Sequence, residues 1–347
     1  MRFALTLVLG VIAATLLMGF TSGSDSYYSV GTETQRERLD ELLHTLEQNH
    51  NDPSRRALIV EQISATLVQA GAPERMRTFL STQVEDNPED PFNAYYLLLI
   101  AREYRDSSIP MALHYYRRIL RNYADVRVHG TSVHHQALQA LVEYSSDPSL
   151  RIDYYRDLLQ RFPGQIEKGK TYYYLAKTHE KLGQWDQAFA AYKEFLTYPD
   201  TVIPEHPQAH REVQDMVDFY DSSKNWTMES LDSLVSAIKT ALLRQSPQML
   251  LRYKAKENFF AMSWQQDEYD FNSQVAFNLG IFLQRSRVHF AEDLEMNSNA
   301  REAYLRTWGW SYRIPTWYLY FRRVDFPANP EINGDWEWAG IYFGETL

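Results

Sequence analysis

One helical pattern recurs four times in the first two thirds of the chain, with anchor positions 37, 39 and 37 residues apart at Arg75, Ala112, Arg151 and Ala188. In the three later copies an aromatic residue stands four positions after the anchor and an apolar residue seven positions after it. Both side chains therefore lie on the same face of a helix. Repeats of this length are typical of solenoids, in which stacked helix pairs bury a shared core.

Short breaker segments divide this region into helices of about 12 to 18 residues. Asn51-Asp52-Pro53, Gly71-Ala72-Pro73 and Pro163-Gly164 are examples, and Pro or Gly falls at almost every expected helix end. Helices joined by such short connections form antiparallel pairs. We therefore predict a mainly α protein whose residues 33–222 form an α-solenoid.

The best copy of the repeat, residues 172–200, resembles the tetratricopeptide repeat. Its residues at that family's packing positions are Tyr172, Leu175, Ala176, His179, Ala188 and Tyr192. A second copy fits nearly as well, with Tyr96, Leu99, Ile100, Ala112, Tyr116 and Ile119. The copies anchored on Arg75 and Arg151 depart from the pattern, because arginine stands where the family has a small residue. The spacing also exceeds the family's period of about 34 residues, so irregular or longer-helix relatives fit equally well.

The resemblance implies a protein-binding groove on the inner face of the solenoid. In that family, partners contact first-helix residues one, five and eight positions beyond the first packing residue. Carried onto this chain, these positions are Leu97, Ala101 and Tyr104, then Gln136, Ala140 and Glu143, then Tyr173, Lys177 and Glu180. Such a mixed surface with aromatic anchors suits a peptide or a folded neighbour.

The N-terminus has the pattern of an export signal. Met1-Arg2 precedes an uncharged apolar run, residues 3–20, and small residues follow up to Ser24. The run has only the minimum length of a spanning helix, so residues 1–23 are either a cleaved signal peptide or an anchor in the inner membrane. Residues 24–32 would form a linker. We expect a periplasmic or envelope-associated bacterial protein.

Composition excludes several classes of function. The chain has no cysteine, which removes disulfides, thiolate nucleophiles and cysteine-ligated zinc. Its net charge is -10 and its longest basic cluster is Arg322-Arg323, which argues against nucleic-acid binding. The sequence also lacks phosphate-loop, dinucleotide-binding and serine-hydrolase motifs. We therefore expect no enzymatic activity and no cofactor.

Histidine spacing gives only weak metal candidates. His206 and His210 stand four positions apart, which is ligand spacing on a helix, but the sequence has no His-Glu-x-x-His motif. His129, His134 and His135 form a second group. The repeat register places His135 at a packing position, so we predict a core residue and no metal site.

Beyond residue 225 the pattern changes to that of an α+β domain, residues 226–347. Leu231 to Leu242 has helical periodicity, and Ser246-Pro247 starts a second, short helix. Strand-like segments follow at residues 258–264, 287–293, 304–312, 316–326 and 335–343, and residues 275–283 favour a helix. This order predicts a curved antiparallel sheet and is similar, in topology only, to the nuclear transport factor 2-like (cystatin-like) fold.

The aromatic residues of this domain have two interpretations. They form either the core of the sheet or a pocket for a glycan or lipid, for which the candidates are Trp308, Trp310, Trp317, Tyr320, Trp336 and Trp338. The main hypothesis from the sequence is an exported, non-enzymatic scaffold that binds a protein partner through its solenoid. The alternative is small-molecule binding or an unrecognised hydrolytic activity in the C-terminal domain.

Overall fold

The structure, a computed structural model, describes residues 27–49, 51–256, 258–264 and 279–344. The expected export segment, residues 1–23, lies outside the described residues, as do residues 24–26 of the expected linker and residues 275–278 of the predicted helix. None of the described helices is both long enough and apolar enough to cross a bilayer.

The chain divides into two compact units between Thr171 and Tyr172. The predicted domain boundary, at residues 222–226, lies inside the second unit. Helical repeats followed by an α+β region confirm the predicted fold class.

The first unit consists of paired helices and one short hairpin. Its helices are α1 (Glu33–Gln48), α2 (Pro53–Gln69), α3 (Pro73–Asp86), α4 (Asn93–Tyr104), α5 (Ile109–Asn122), α6 (Val133–Tyr144) and α7 (Pro148–Arg161). A hairpin of β1 (Arg127–Val128) and β2 (Thr131–Ser132) separates α5 from α6, and α8 (Lys168–Lys181) begins at the end of this unit. From α1 to α7, each helix packs against the next.

Local sequence accounts for where these helices begin. Thr32 forms a reciprocal capping box with Gln35, in which each side chain accepts a hydrogen bond from the backbone N–H of the other. Asp52 and Asp147 cap α2 and α7, and a proline follows each of them at the first helical position. The breakers in the sequence therefore act as helix starts.

Most of the predicted packing positions lie in the core. Ala112, Tyr116 and Ile119 of α5 are buried, as are Tyr96 and Ile100 of α4. Three side-chain contacts between helix pairs join residues 34 positions apart, namely Arg56 with Asp90, Glu61 with Tyr95, and Arg102 with Gln136. The helix pairs thus meet at the period of the tetratricopeptide repeat, although their second helices are spaced more widely.

The second unit contains the rest of α8, more helices and a five-stranded sheet. Its helices are α9 (Trp185–Leu196), α10 (Ala209–Asp221), α11 (Leu231–Leu243), α12 (Pro247–Arg252) and α13 (Leu279–Arg285). Its strands are β3 (Phe260–Ser263), β4 (His289–Phe290), β5 (Glu302–Trp308), β6 (Thr316–Arg323) and β7 (Trp336–Phe343), in the order β3-β7-β6-β5-β4.

The sheet is mixed, which corrects the prediction of an antiparallel sheet. β4 to β7 pair in antiparallel fashion, but β3 runs parallel to β7. Parallel neighbours need a long crossover connection, and the chain between β3 and β7 supplies one. Gly340 lies at this pairing, where a Cβ atom would stand 2.6 Å from the Phe260 ring.

Alternation along the strands gives the sheet two different faces. The face that packs with α11, α12 and α13 carries aliphatic residues and most of the buried tryptophans. The opposite face carries a cluster of Phe260, Met262, Tyr304, Tyr318 and Tyr320. The similarity in topology to the nuclear transport factor 2-like fold stays a prediction.

Candidate partner-binding groove

A surface groove of about 400 Å³ lies between α2, α3 and α4 in the first unit. Its lining residues are Glu61, Ser64, Ala65, Val68, Gln69, Met76, Leu99, Arg102 and Glu103. We call it the α2–α4 groove.

Helical spacing explains why these residues share one surface. Glu61, Ala65 and Val68 occupy positions i, i+4 and i+7 on α2, which form one stripe on a helix. Tyr95, Leu99 and Arg102 form the same stripe on α4, one 34-residue period later. The two stripes meet at Glu61 and Tyr95, and the other four residues line the same groove.

One end of the groove is closed by a polar contact. The Tyr95 hydroxyl donates to Glu61 Oε1 at 2.6 Å, and His129 Nε2 lies 3.0 and 3.1 Å from the two Glu61 carboxylate oxygens. Burial, together with the Glu61 carboxylate, raises the pKa of Tyr95 above its ordinary value, so the phenol stays a hydrogen-bond donor. Both Glu61 oxygens are thus occupied.

The β1–β2 hairpin brings His129 to this position. Its two-residue loop is His129-Gly130, and both residues have positive φ values of 51° and 78°. Positive φ at both loop positions defines a type I′ turn, which matches the twist of a tight hairpin. The hairpin thereby reaches Glu61, 68 positions earlier in the chain.

The other end of the groove carries a cation without an acidic partner. Arg102 is exposed and donates to the side-chain oxygen of Gln136 on α6; among the described residues it forms no ion pair. Arg77, in contrast, lies 3.4 Å from Glu103 and its guanidinium stands 4.7 Å from the Tyr104 ring centroid. The charge of Arg102 is therefore available to a ligand.

The middle of the groove is apolar. Ala65 and Val68 of α2 are exposed, and Val68 retains 43% of its accessible surface. Leu99 is half-buried between them and Met76. An aliphatic floor between two polar ends suits an extended peptide better than a small polar ligand.

The structure corrects the predicted groove residues on α4. Leu97 and Ala101 are fully buried and offer no surface to a partner, while Tyr104 is half-buried and stacks on Tyr115 with ring centroids 5.7 Å apart. α4 contacts α3, α5 and α6, so only a narrow stripe of it reaches solvent. The stripe of α4 that lies along the groove begins at Tyr95, two residues before the predicted Leu97. The 34-residue spacing between Glu61 and Tyr95 was the sequence signal that could have located it.

The predicted groove residues of the other two copies differ in their exposure. Gln136 contacts Arg102 beside the α2–α4 groove, Ala140 is 9% exposed, and Glu143 is exposed. The third copy belongs to the second unit. There Tyr173 is buried against Tyr192 and Phe195, and Lys177 forms an ion pair with Glu180 at 3.0 Å.

The predicted tryptophan pocket is filled, which corrects that interpretation. Trp310, Trp317, Trp336 and Trp338 are at most 4% exposed and belong to one core cluster. The rings of Trp310 and Trp317 stack at 4.7 Å. Tyr320 lies on the opposite face of the sheet, and Trp308, at the end of β5, is 39% exposed. Four of the six residues therefore belong to the packed core on one face of the sheet.

Charged residues among these aromatics form an internal network. Glu337 is 4% exposed and accepts hydrogen bonds from Arg322 Nε at 2.9 Å and from Trp226 Nε1 at 2.8 Å. A buried carboxylate needs such partners to offset its loss of hydration. Glu337 therefore links Trp226, in the segment before α11, to the sheet, and Arg322 compensates the charge of Glu337.

Histidines form no metal site in the part of the chain that the structure describes, where no group of three or more potential ligands comes together. His210 stacks on Phe195 with ring centroids 4.2 Å apart. His135 is 6% exposed and packs against Phe162 at 5.2 Å, which confirms its predicted position in the core.

Buried His135 makes the first unit sensitive to acid. Burial lowers the pKa of its imidazole from the ordinary 6.5, so below pH 6.5 the unfolded chain binds more protons than the folded one. The contribution of His135 to the free energy of unfolding is complete above pH 6.5 and is lost as the pH falls through the folded-state pKa. We expect His135→Phe to lose less stability between pH 7 and pH 5 than the parent protein, measured by urea unfolding. The control His44→Phe, at an exposed site on α1, should leave this loss unchanged; equal losses in both variants would contradict the assignment.

Neither a protein-family model nor a curated protein sequence matches this chain. Among solved structures, a crystal structure of MamA protein is similar over 55% of this chain and 95% of that chain, with 15% sequence identity and a TM-score of 0.33. A likeness at this level defines neither fold nor function. The class of protein therefore follows from the structure alone. It is a helical-repeat protein with a C-terminal α+β region.

Proposed function

We propose that this chain is a non-enzymatic adaptor that binds an extended peptide of a partner protein in the α2–α4 groove. The observation that carries this proposal is the aliphatic floor around Leu99, which lies beside the exposed Arg102, a cation that forms no ion pair with any residue the structure describes. Repeat proteins commonly use such inner surfaces for binding.

The groove selects the chemistry of the peptide. An aliphatic side chain of the ligand fits against Leu99, Ala65 and Val68, because each of them keeps accessible surface. A carboxylate one or two residues away would pair with Arg102, whose present hydrogen-bond partner is the neutral Gln136 side chain. Glu61 already accepts a hydrogen bond from Tyr95 and lies within hydrogen-bond distance of His129.

Export to the cell envelope belongs to the same proposal. It is supported by the pattern of residues 1–23, in which one arginine precedes an uncharged apolar run. N-terminal sequencing of the protein from an envelope fraction distinguishes a cleaved signal from an anchor. A mature N-terminus near Gly23 would support cleavage, and an intact Met1 would support the anchor.

Selection from a library of random 12-residue peptides tests the groove. We expect enrichment of an aliphatic residue close to Asp or Glu, and each selected peptide should bind Arg102→Glu about 10- to 100-fold more weakly, since one charge-assisted contact is lost. Leu99→Asp should weaken binding similarly by charging the floor. Arg102 is exposed, so Arg102→Glu should change urea unfolding little. Leu99 is half-buried against the core, so circular dichroism verifies that Leu99→Asp is folded before its affinity is compared.

The matched control is Arg121→Glu, an exposed charge reversal on α5 outside the groove lining. Its affinity for the selected peptides should equal that of the parent protein. Peptides that lack the acidic residue, or that bind all three variants equally, would show that the groove is not the binding site.

A further inference from the structure

The connection between β5 and β6 exposes large apolar side chains at one end of the sheet. Tyr312 is fully exposed, Ile314 is 41% exposed, and Trp308 is 39% exposed at the end of β5. Isolated apolar residues on a surface are ordinary, but several of them together mark a surface that meets a partner.

The connection is held in a fixed conformation. Trp310 turns into the core and stacks on Trp317, and its Nε1 donates to Thr307 Oγ1 at 2.7 Å. Trp317 Nε1 donates to the Ile314 carbonyl at 3.0 Å. The core tryptophans thus anchor the connection from both sides and leave Tyr312 and Ile314 directed outward.

Two neighbouring segments adjoin this connection. Ser286 Oγ donates to the Trp310 carbonyl at 3.0 Å, and Gln245 Nε2 donates to the Ser286 carbonyl at 3.4 Å. Gly309 packs so closely that a Cβ atom there would lie 2.5 Å from the Arg287 carbonyl oxygen. The corner between α11 and α12, with Leu243 71% exposed, therefore belongs to the same surface.

Arginines surround the apolar residues. Arg244, Arg287 and Arg313 are exposed, and none of them forms an ion pair with another residue in the described ranges. Arg306 stands 5.8 Å from the Trp308 ring centroid and lies 3.5 Å from Glu295. Among the described residues, this end of the sheet thus carries three exposed arginines without an acidic partner, in a chain with a net charge of -10.

We infer that this surface, the arginine–aromatic tip, docks on an anionic lipid bilayer. The tip consists of Arg244, Arg287, Trp308, Tyr312, Arg313 and Ile314. Tyrosine and tryptophan favour the headgroup region of a bilayer, aliphatic side chains reach the acyl boundary, and arginines pair with lipid phosphates. The inference is independent of the α2–α4 groove, which belongs to the other unit.

The absence of cysteine makes a direct test possible. Tyr312→Cys in the full chain is labelled with an environment-sensitive fluorophore and mixed with vesicles of phosphatidylcholine, with or without about 30% phosphatidylglycerol, a fraction typical of a strongly anionic surface. We expect a blue shift and a gain in intensity only with the anionic vesicles. Val202→Cys, at a site that is 75% exposed in the loop before α10, is the matched control and should not respond.

Variants then test the chemistry of the tip. Arg244→Gln, Arg287→Gln and Arg313→Gln should each lower vesicle affinity about fivefold, and the triple variant about 100-fold. Ile314→Ser should also weaken binding. The control variant, with the exposed Arg105, Arg121 and Arg211 changed to Gln, should bind as the parent does.

These comparisons separate docking by the tip from attachment by residues 3–20. An N-terminal attachment would hold the protein on both kinds of vesicle and would not depend on the three arginines. No response at Tyr312, the same response at Val202, or a response that persists in the triple variant would overturn the inference. Unchanged tryptophan emission without vesicles verifies that each variant is folded.

Discussion

Asp90→Asn should lower the free energy of unfolding of the first unit by about 3 to 5 kcal/mol, the usual effect of removing one charge of a buried ion pair. Asp90 is 6% exposed and accepts from Arg56 Nε at 2.9 Å and from Arg56 Nη2 at 2.5 Å. Its carboxylate also accepts from the Tyr96 hydroxyl and the Phe92 backbone N–H. Asparagine keeps the size of the side chain but removes the charge that compensates the Arg56 guanidinium.

Two spectroscopic signals make the measurement specific to a unit. All eight tryptophans lie between residues 185 and 338, so their emission follows the second unit. Far-UV circular dichroism during urea unfolding reports on the helices. In Asp90→Asn, only the unfolding transition of the first unit should move to lower urea concentration. The double variant Arg56→Met with Asp90→Asn should recover part of the loss, because the buried charge is gone.

An exposed ion pair supplies the control. Arg38 lies 2.9 Å from Glu41, but both side chains are about half exposed or more. Arg38→Ala should therefore change stability by less than about 1 kcal/mol. A loss below about 1 kcal/mol for Asp90→Asn would show that the buried pair contributes no more than a surface pair.

The repeat architecture could be predicted because breakers and periodicity are local signals. Ala112, Tyr116 and Ile119 were placed correctly in the core, since apolar and charged residues alternate clearly around α5. The register of α4 was wrong because residues 94–101 are almost continuously apolar and no polar face marks the solvent side. Only contacts with other helices decide which stripe of α4 is exposed.

The sheet shows a similar limit. The pattern of Trp308, Trp310 and Tyr312 predicted a strand to residue 312, but β5 ends at Trp308. Gly309 has a φ of 88°, which ends the extended conformation, and Trp310 then turns into the core. The parallel direction of β3 likewise depends on a long connection, on which local alternation gives no information.

Trp338→Ala should lower the free energy of unfolding of the second unit by about 3 to 5 kcal/mol, the range for removal of a large aromatic from a core. Trp338 is fully buried and packs edge-on against Phe259 with ring centroids 5.0 Å apart. Its Nε1 donates to the Gly340 carbonyl at 2.9 Å, so the substitution also leaves an acceptor without that hydrogen bond. The cavity adds to the cost because the strands around it cannot collapse fully.

Trp308→Ala is the matched control, because Trp308 is the same residue type on the same sheet but is 39% exposed. We expect it to cost less than about 1 kcal/mol, as surface substitutions usually do. Urea unfolding followed by the emission of the remaining tryptophans measures both variants. If Trp338→Ala were as mild as Trp308→Ala, Trp338 would not be part of a close-packed core, and a ligand pocket at the tryptophan face would again account for the aromatic segment. A loss of several kcal/mol of unfolding free energy in Trp338→Ala alone would mean that the core tryptophans stabilise the sheet. Their role in bilayer docking would then be indirect, because Trp310 and Trp317 anchor the connection between β5 and β6.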